Sequence, residues 1–286
     1  MPGSTGPLIS RRRVGSTFRR LREEKGEQLK DTAKALMFST SKLSRIETGV
    51  LEPQPRDLRD LLVYFDLTDT GLGAEITEWV SEAVEAPWWT RRGFRMPPRL
   101  AEYLSYESPA AVIEEHSARF VPGTMQTPAY AAAVFSTVVP ELSAADRDAQ
   151  VALRMARREF LDSRIPRPRL ICVIPEEVLH RPVGPPATQQ EQLLSLLTEF
   201  DCPHTELRIV PYDAGTYRAV DGSFTVFTFD HPIDPPVVAT ASVSDVTFTD
   251  SPEIVHDHRS RFDDALARCL DATASRNFVE SLIAPR

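Results

Sequence analysis

With 286 residues, 42% of them apolar and 26% charged, the chain has the composition of a globular protein and room for one large domain or two ordinary ones. No run approaches the roughly 18 apolar residues of a membrane span, no signal-peptide core precedes the first arginines, and Cys172, Cys202 and Cys269 are too few and too scattered for a disulfide framework or a zinc knot; a cytoplasmic protein with reduced thiols is expected. The net charge of −8 is unevenly divided, since residues 1–65 carry 13 Lys and Arg against 8 Asp and Glu while the remainder carries 20 against 33, so a basic head precedes an acidic body and nucleic acid is the partner to consider for the head.

Residues 1–10 are rich in Pro, Gly and Ser without periodicity and read as a disordered or irregular arm. Arg11, Arg12 and Arg13 follow, either as a basic arm that touches phosphate or as the solvated start of a first helix. From residue 11 to 68 the head reads as a compact helical bundle. Val14, Phe18 and Leu21 recur at helical spacing up to Gly26; Leu29, Ala33 and Leu36 repeat the pattern; Leu58, Leu61, Leu62 and Phe65 form another stripe. Between them, residues 39–49 have a good N-cap in Ser39, an inward pair in Leu43 and Ile46, and a C-terminal glycine in Gly49. That spacing turns Thr40, Ser41, Lys42, Ser44 and Arg45 outward, where hydroxyls and cations reach base edges and phosphates.

Residues 69–87 predict a linker helix whose apolar stripe, with Leu72, Ile76, Trp79 and Val80, has three open partners: the head, the body or a second chain. Next come Trp88 and Trp89 with Arg91, Arg92, Arg95 and Arg99, which suit either a domain seam or nucleotide stacking. The body, residues 88–286, mixes helices with strands. Segment 108–120 fits helix or strand; helices are expected over 130–139, 149–161, 189–200, 252–272 and 275–283, and strands over 169–174, 205–210, 224–229, 237–243 and 246–248. Leu170 to Ile174 is apolar on both faces, as in a sheet covered on both sides. The predicted fold class is therefore multi-domain, an all-α helix-turn-helix head followed by a mixed α/β domain.

The head resembles a specific family. Leu21-Arg-Glu-Glu-Lys-Gly26, the Leu29 to Leu36 helix and Lys42-Leu-Ser-Arg-Ile-Glu-Thr-Gly49, with Pro55 beyond, are similar to the Xre-type, phage-repressor-like helix-turn-helix domain. The resemblance implies a structural ion pair between Arg22 and Glu47, and double-stranded DNA contacted through Thr40, Ser41, Lys42 and Arg45, with Ser44 nearby. Two departures bear on the second helix: Leu29 stands where many relatives carry a DNA-contacting Gln, and Glu27 replaces an apolar residue, so Gln28 and Lys30 become the local DNA-binding candidates.

The body also resembles a family. Val121-Pro-Gly-Thr-Met-Gln-Thr-Pro-Ala-Tyr130, Arg154-Met-Ala-Arg-Arg158, Glu177-Val-Leu-His-Arg-Pro-Val-Gly184, Leu207-Arg-Ile-Val-Pro211 and Gly222-Ser-Phe224 resemble a domain of unknown function that recurs behind Xre-type heads in bacterial regulators. The resemblance implies an architecture, a helix-turn-helix head plus a regulatory domain that is often encoded beside a small companion protein, and implies no ligand or reaction. The expected function is a cytoplasmic transcriptional regulator, a repressor or an activator, acting as a homodimer whose body senses a small-molecule effector or binds a small companion protein. The alternative is an antitoxin-like module that sequesters a small partner. Gln126, Arg154, Arg158, His180 and Arg181 are the candidate effector or partner surface. No catalytic motif occurs, and His256-Asp-His258 and Cys202-Pro-His204 lack a four-ligand zinc spacing, so neither catalysis, a metal nor a cofactor is expected.

Overall fold

The computed structural model describes residues 7–84, 86–241 and 245–283 and divides into two compact units. The first runs through Pro109 and takes back residues 229–235; the second comprises 110–228 and the chain from Pro236 onward. Among the described residues no helix is long and apolar enough to cross a membrane.

The first unit is all helical: α1 (Pro7–Glu24), α2 (Leu29–Ala35), α3 (Thr40–Glu47), α4 (Pro55–Tyr64), α5 (Gly71–Val84), α6 (Trp88–Arg91) and α7 (Pro98–Glu107). Its core gathers one stripe from each of the first five. Phe18, Leu43, Leu61 and Ile76 are fully buried, and Phe18 stacks on Phe65 with ring centres 5.8 Å apart. Side chains of this size each contribute roughly 1.5–3 kcal/mol on burial. The helix boundaries follow local chemistry. Ser39 Oγ accepts the Lys42 backbone N–H, Pro55 opens α4, and Gly49 ends α3 at φ +69°, a conformation glycine adopts without strain.

Four expectations change here. Residues 1–6 of the expected arm lie outside the described residues, but 7–10 are the first turn of α1, because Ile9 and Ser10 are buried. Arg12 and Arg13 form neither a phosphate arm nor a solvated helix start. Arg12 donates to the Tyr106 hydroxyl at 3.0 Å, and buried Arg13 donates through Nε to both oxygens of buried Asp234, at 3.1 and 3.2 Å. The helix expected as a linker, α5, packs along α1, with Ile76 and Trp79 in the same core as Phe18. Residues 88–109, expected in the body, form α6 and α7 of this unit. Trp88 and Trp89 are buried, and Trp88 Nε1 donates to Ser108 Oγ at 3.0 Å, so neither offers an open stacking face. The returning segment 229–235 adds His231, edge-on to Trp79 at 5.4 Å, and Ile233 to this core.

The second unit is built on one mixed sheet. Its strands are β1 (Val112–His116), β2 (Arg169–Pro175), β3 (Thr205–Val210), β4 (Ser223–Thr228), β5 (Val237–Ala241) and β6 (Val246–Thr249), in the order β3-β2-β1-β4-β5-β6. The neighbours β1–β2 and β2–β3 are parallel, and the pairs from β1–β4 onward are antiparallel. The ambiguous segment 108–120 thus supplies a central strand. The helices are α8 (Pro128–Val138), α9 (Ala144–Ser163), α10 (Glu176–His180), α11 (Pro186–Glu199), α12 (Pro252–Ala267) and α13 (Ala272–Ile283). Residues 242–243 of the expected 237–243 strand lie outside the described residues.

The alternation of β2 explains its unbroken apolar run. Cys172 and Ile174 join Leu207, Ile209, Tyr130, Leu193, Leu196 and Val279 in one core, while Ile171 and Val173 join Val226, Val238, Val255 and Phe262 in the other. Both faces of the sheet are covered, the first with residues of α8, α11 and α13 and the second with α12.

Candidate nucleic-acid interface

The helix α3 is fixed from three directions before any ligand is considered. Leu43 and Ile46 are buried below it. At its C-terminal end, Arg22 of α1 donates through Nε and Nη2 to the two oxygens of Glu47, at 2.7 and 2.8 Å, and through Nη1 to the Glu27 carbonyl at 3.0 Å. The bond to Glu47, against the opposing effect of burial, raises the Arg22 pKa above its ordinary value. The close approach has a backbone component too: a Cβ on Gly15 of α1 would lie 2.3 Å from the Ile46 carbonyl oxygen. At its other end, the Lys42 ammonium donates to Asp57 Oδ1 of α4 at 2.6 Å and stands 4.3 Å from the centre of the Phe38 ring.

This leaves a polar outer surface. Thr40, Ser41 and Arg45 are exposed, and Ser44 and Lys42 are partly exposed. Gln28, at the N-cap of α2 without a side-chain cap bond, and Lys30 in its first turn are exposed as well. Glu27 is accounted for by its partners: it accepts from the Thr32 hydroxyl and from the Tyr64 hydroxyl at 2.6 Å. Those bonds hold its carboxyl below the usual range and tie the α1–α2 turn to α4.

Asp57 is the residue that sequence pattern does not single out. Pro55 and the acid two positions later mark a helix start, and Asp57 Oδ2 does accept the Gln54 backbone N–H at 3.2 Å. Nothing in the spacing announces that its other oxygen holds Lys42, fifteen positions away.

In the second unit the candidate effector residues separate into two groups. Gln126, Arg154 and Arg158 meet at the turn Gly123–Met125. Gln126 Nε2 donates to the Val121 carbonyl at 2.7 Å, which orients its Oε1 to accept from Arg154 Nη1 at 2.6 Å. The Arg154 guanidinium lies 4.3 Å from the Phe135 ring centre, and burial lowers its pKa to about 10. Arg158 donates to Asp162 at 2.9 Å and to Glu199 at 3.0 Å. Around Arg154, Arg157 adds to the lowering by burial and Glu115 opposes it electrostatically. His180 belongs elsewhere, 3.1 Å from Glu176 Oε1 and stacked on Tyr212, and Arg181 is exposed at the end of α10.

His258 Nδ1 lies 2.9 Å from the Ile254 carbonyl, within its own helix. Among the described residues no group of three or more His, Cys, Asp and Glu is placed to hold a metal ion.

Comparison with known proteins gives two family matches. Residues 13–74 match the model described as Helix-turn-helix domain, and residues 100–281 match the model described as Domain of unknown function (DUF5753). No curated protein and no solved structure matches the chain. A helix-turn-helix head, with α2 and α3 as its paired helices, therefore precedes a mixed α/β domain, and because the second match spans more than half of its residues, the chain belongs to the family of the Domain of unknown function (DUF5753).

Proposed function

We propose that this protein is a sequence-specific, DNA-binding transcriptional regulator of the cytoplasm rather than an enzyme, with α3 as its recognition helix. The observation that carries this reading is the outer surface of α3. Its residues Thr40, Ser41, Ser44 and Arg45 are polar and at least partly open, on a helix that packing, the Arg22–Glu47 pair and Asp57 hold rigid. A reader of base edges needs such a surface, because each misplaced donor loses its acceptor. Gln28 and Lys30 at the start of α2 suit the neighbouring phosphates.

Acting as a homodimer, the regulator presents two such helices to successive major grooves about 34 Å apart on a palindromic site. The second unit responds to a small-molecule effector or a small companion protein and shifts the population of binding-competent dimers, most simply as a repressor. Genome-wide mapping of DNA occupancy in the native host tests this directly. A reproducible palindromic motif at promoters is expected, and occupancy indistinguishable from an α3-deleted control sinks the reading.

A further inference from the structure

The two cations of α3 differ in what they are free to do. Lys42 is held on Asp57 Oδ1 at 2.6 Å. The carboxylate it serves is only 7% exposed, and the other oxygen of that carboxylate caps α4 through the Gln54 N–H. If Lys42, itself about one-third exposed, swung to a DNA phosphate, the largely buried Asp57 carboxylate would lose its counter-ion, a cost that a solvated phosphate contact must offset. Arg45 is exposed, and among the described residues its guanidinium has no hydrogen-bond or ion-pair partner.

Helical geometry separates them further. At about 100° per residue, Ser41 and Arg45 lie directly opposite the buried stripe of Leu43, Ile46 and Glu47, whereas Lys42 lies on the flank that faces α4. The centre of the exposed surface thus carries one open cation, and that cation is a planar fork of donors. In the major groove the edge with two adjacent acceptors is guanine, through O6 and N7, and a guanidinium fits it with two parallel bonds.

Resting on the reading of the head as a DNA binder, the geometry points to a division of roles on α3: Arg45 is the specificity-determining residue, reading a guanine in each half-site, and Lys42 is a positioning residue that ties α3 to α4 through Asp57 without touching DNA. Asp57 is then part of the recognition surface, although it never meets the nucleic acid.

The experiment uses the full-length protein and a pool of randomised 20-base-pair duplexes. The wild type and three variants, R45A, D57N and the double variant K42M/D57N, are each put through selection, and the salt dependence of affinity is then measured on the wild-type winner. The double variant removes both charges but leaves an Asn oxygen to cap Gln54. Expected is the same selected sequence and the same salt slope for K42M/D57N as for wild type. R45A should lose the guanine preference and roughly 5- to 150-fold in affinity. D57N alone, by releasing the ammonium, should steepen the slope by about one. A double variant whose slope falls by about one, or an R45A that keeps the guanine, overturns the assignment. If wild-type protein selects no sequence and its binding ignores salt, the DNA-binding reading itself has failed. The tie is then still decided by thermal melts, since a K42M that melts below K42M/D57N supports it and equal melting points refute it.

Discussion

Arg22 and Glu47, on α1 and at the end of α3, face each other through two parallel bonds of 2.7 and 2.8 Å, with both side chains at most one-tenth exposed. The geometry is bidentate, and the third guanidinium nitrogen is taken by the Glu27 carbonyl. Glu47→Ala leaves the buried Arg22 without its bidentate partner, with only the exposed Glu23 at 3.7 Å to offset its charge, and should cost about 3–5 kcal/mol of stability. The double variant R22M/E47L, which removes both charges and keeps the volume, should recover most of that loss. Urea denaturation of the three proteins measures it; a single variant no less stable than the double refutes the view of a buried, mutually dependent pair.

The same interface makes a prediction from a residue with no side chain. Gly15 lets the α1 backbone approach α3 so closely that a Cβ would stand 2.3 Å from the Ile46 carbonyl oxygen and 2.8 Å from that of Glu47. Both are backbone atoms and cannot turn aside. Gly15→Ala should therefore destabilise the protein by about 1–3 kcal/mol, the usual range for overpacking, although alanine is the better helix former. In DNA-binding assays below the melting point it should also weaken affinity, because relief requires α3 to move. A stability equal to or above wild type would contradict this packing.

Local pattern makes much of the head legible in the sequence. The Ser39 cap, the Leu43–Ile46 pair and the glycine end of α3 are interactions between residues a few positions apart, and so is the alternation within β2. What stays hidden is non-local. An amphipathic stripe such as that of α5 states that a partner exists, not which one, and only the structure assigns it to α1. Arg13 finds its acid at Asp234, 221 positions away, and Lys42 finds Asp57 across a helix boundary. Neither pairing has a periodic signature. Short helices such as α6 and α10 escape detection because four or five residues hold too little repeat. Gln126, Arg154 and Arg158 come from two separate family motifs and meet in space, while His180 and Arg181, in a third motif, are carried elsewhere by the fold.

A pH dependence follows from His116. It is fully buried in β1, with Nδ1 2.9 Å from the Gly222 carbonyl, Nε2 3.1 Å from the Tyr217 hydroxyl, and the ring stacked on Phe224. The carbonyl can only accept, so Nδ1 carries the proton and Nε2 accepts from Tyr217. Burial lowers its pKa below the ordinary 6.5, against a smaller opposing effect from the Gly222 bond and from Asp221. The unfolded chain, titrating near its ordinary value, therefore binds the proton first as pH falls. Stability from this group is complete above about pH 6.5 and declines below it, down to the depressed folded pKa, by up to about 1.4 kcal/mol per pH unit. Glu114 on the same strand, its pKa raised by burial, acts in the opposite sense, adding stability as pH falls through its raised folded pKa. His116→Phe should flatten the loss of the urea midpoint between pH 7 and 5.5, whatever its effect on absolute stability. An unchanged pH profile would assign the acid sensitivity to other groups.

On the proposed reading of the head, Lys30 is a phosphate anchor and not a base reader. It is exposed in the first turn of α2, and no ion pair holds it among the described residues. On that reading, a compact, mobile ammonium would neutralise a phosphate without recognising an edge. Lys30→Ala should therefore weaken binding to a selected site and to a mixed-sequence duplex by the same factor, and reduce the slope of log affinity against log salt by about 0.9 for each phosphate no longer neutralised. The preferred sequence should not change. Fluorescence anisotropy titrations at several salt concentrations on both duplexes measure all of this. A Lys30→Ala variant that shifts sequence preference while keeping its salt slope would place Lys30 at a base edge and move the phosphate anchor to another residue.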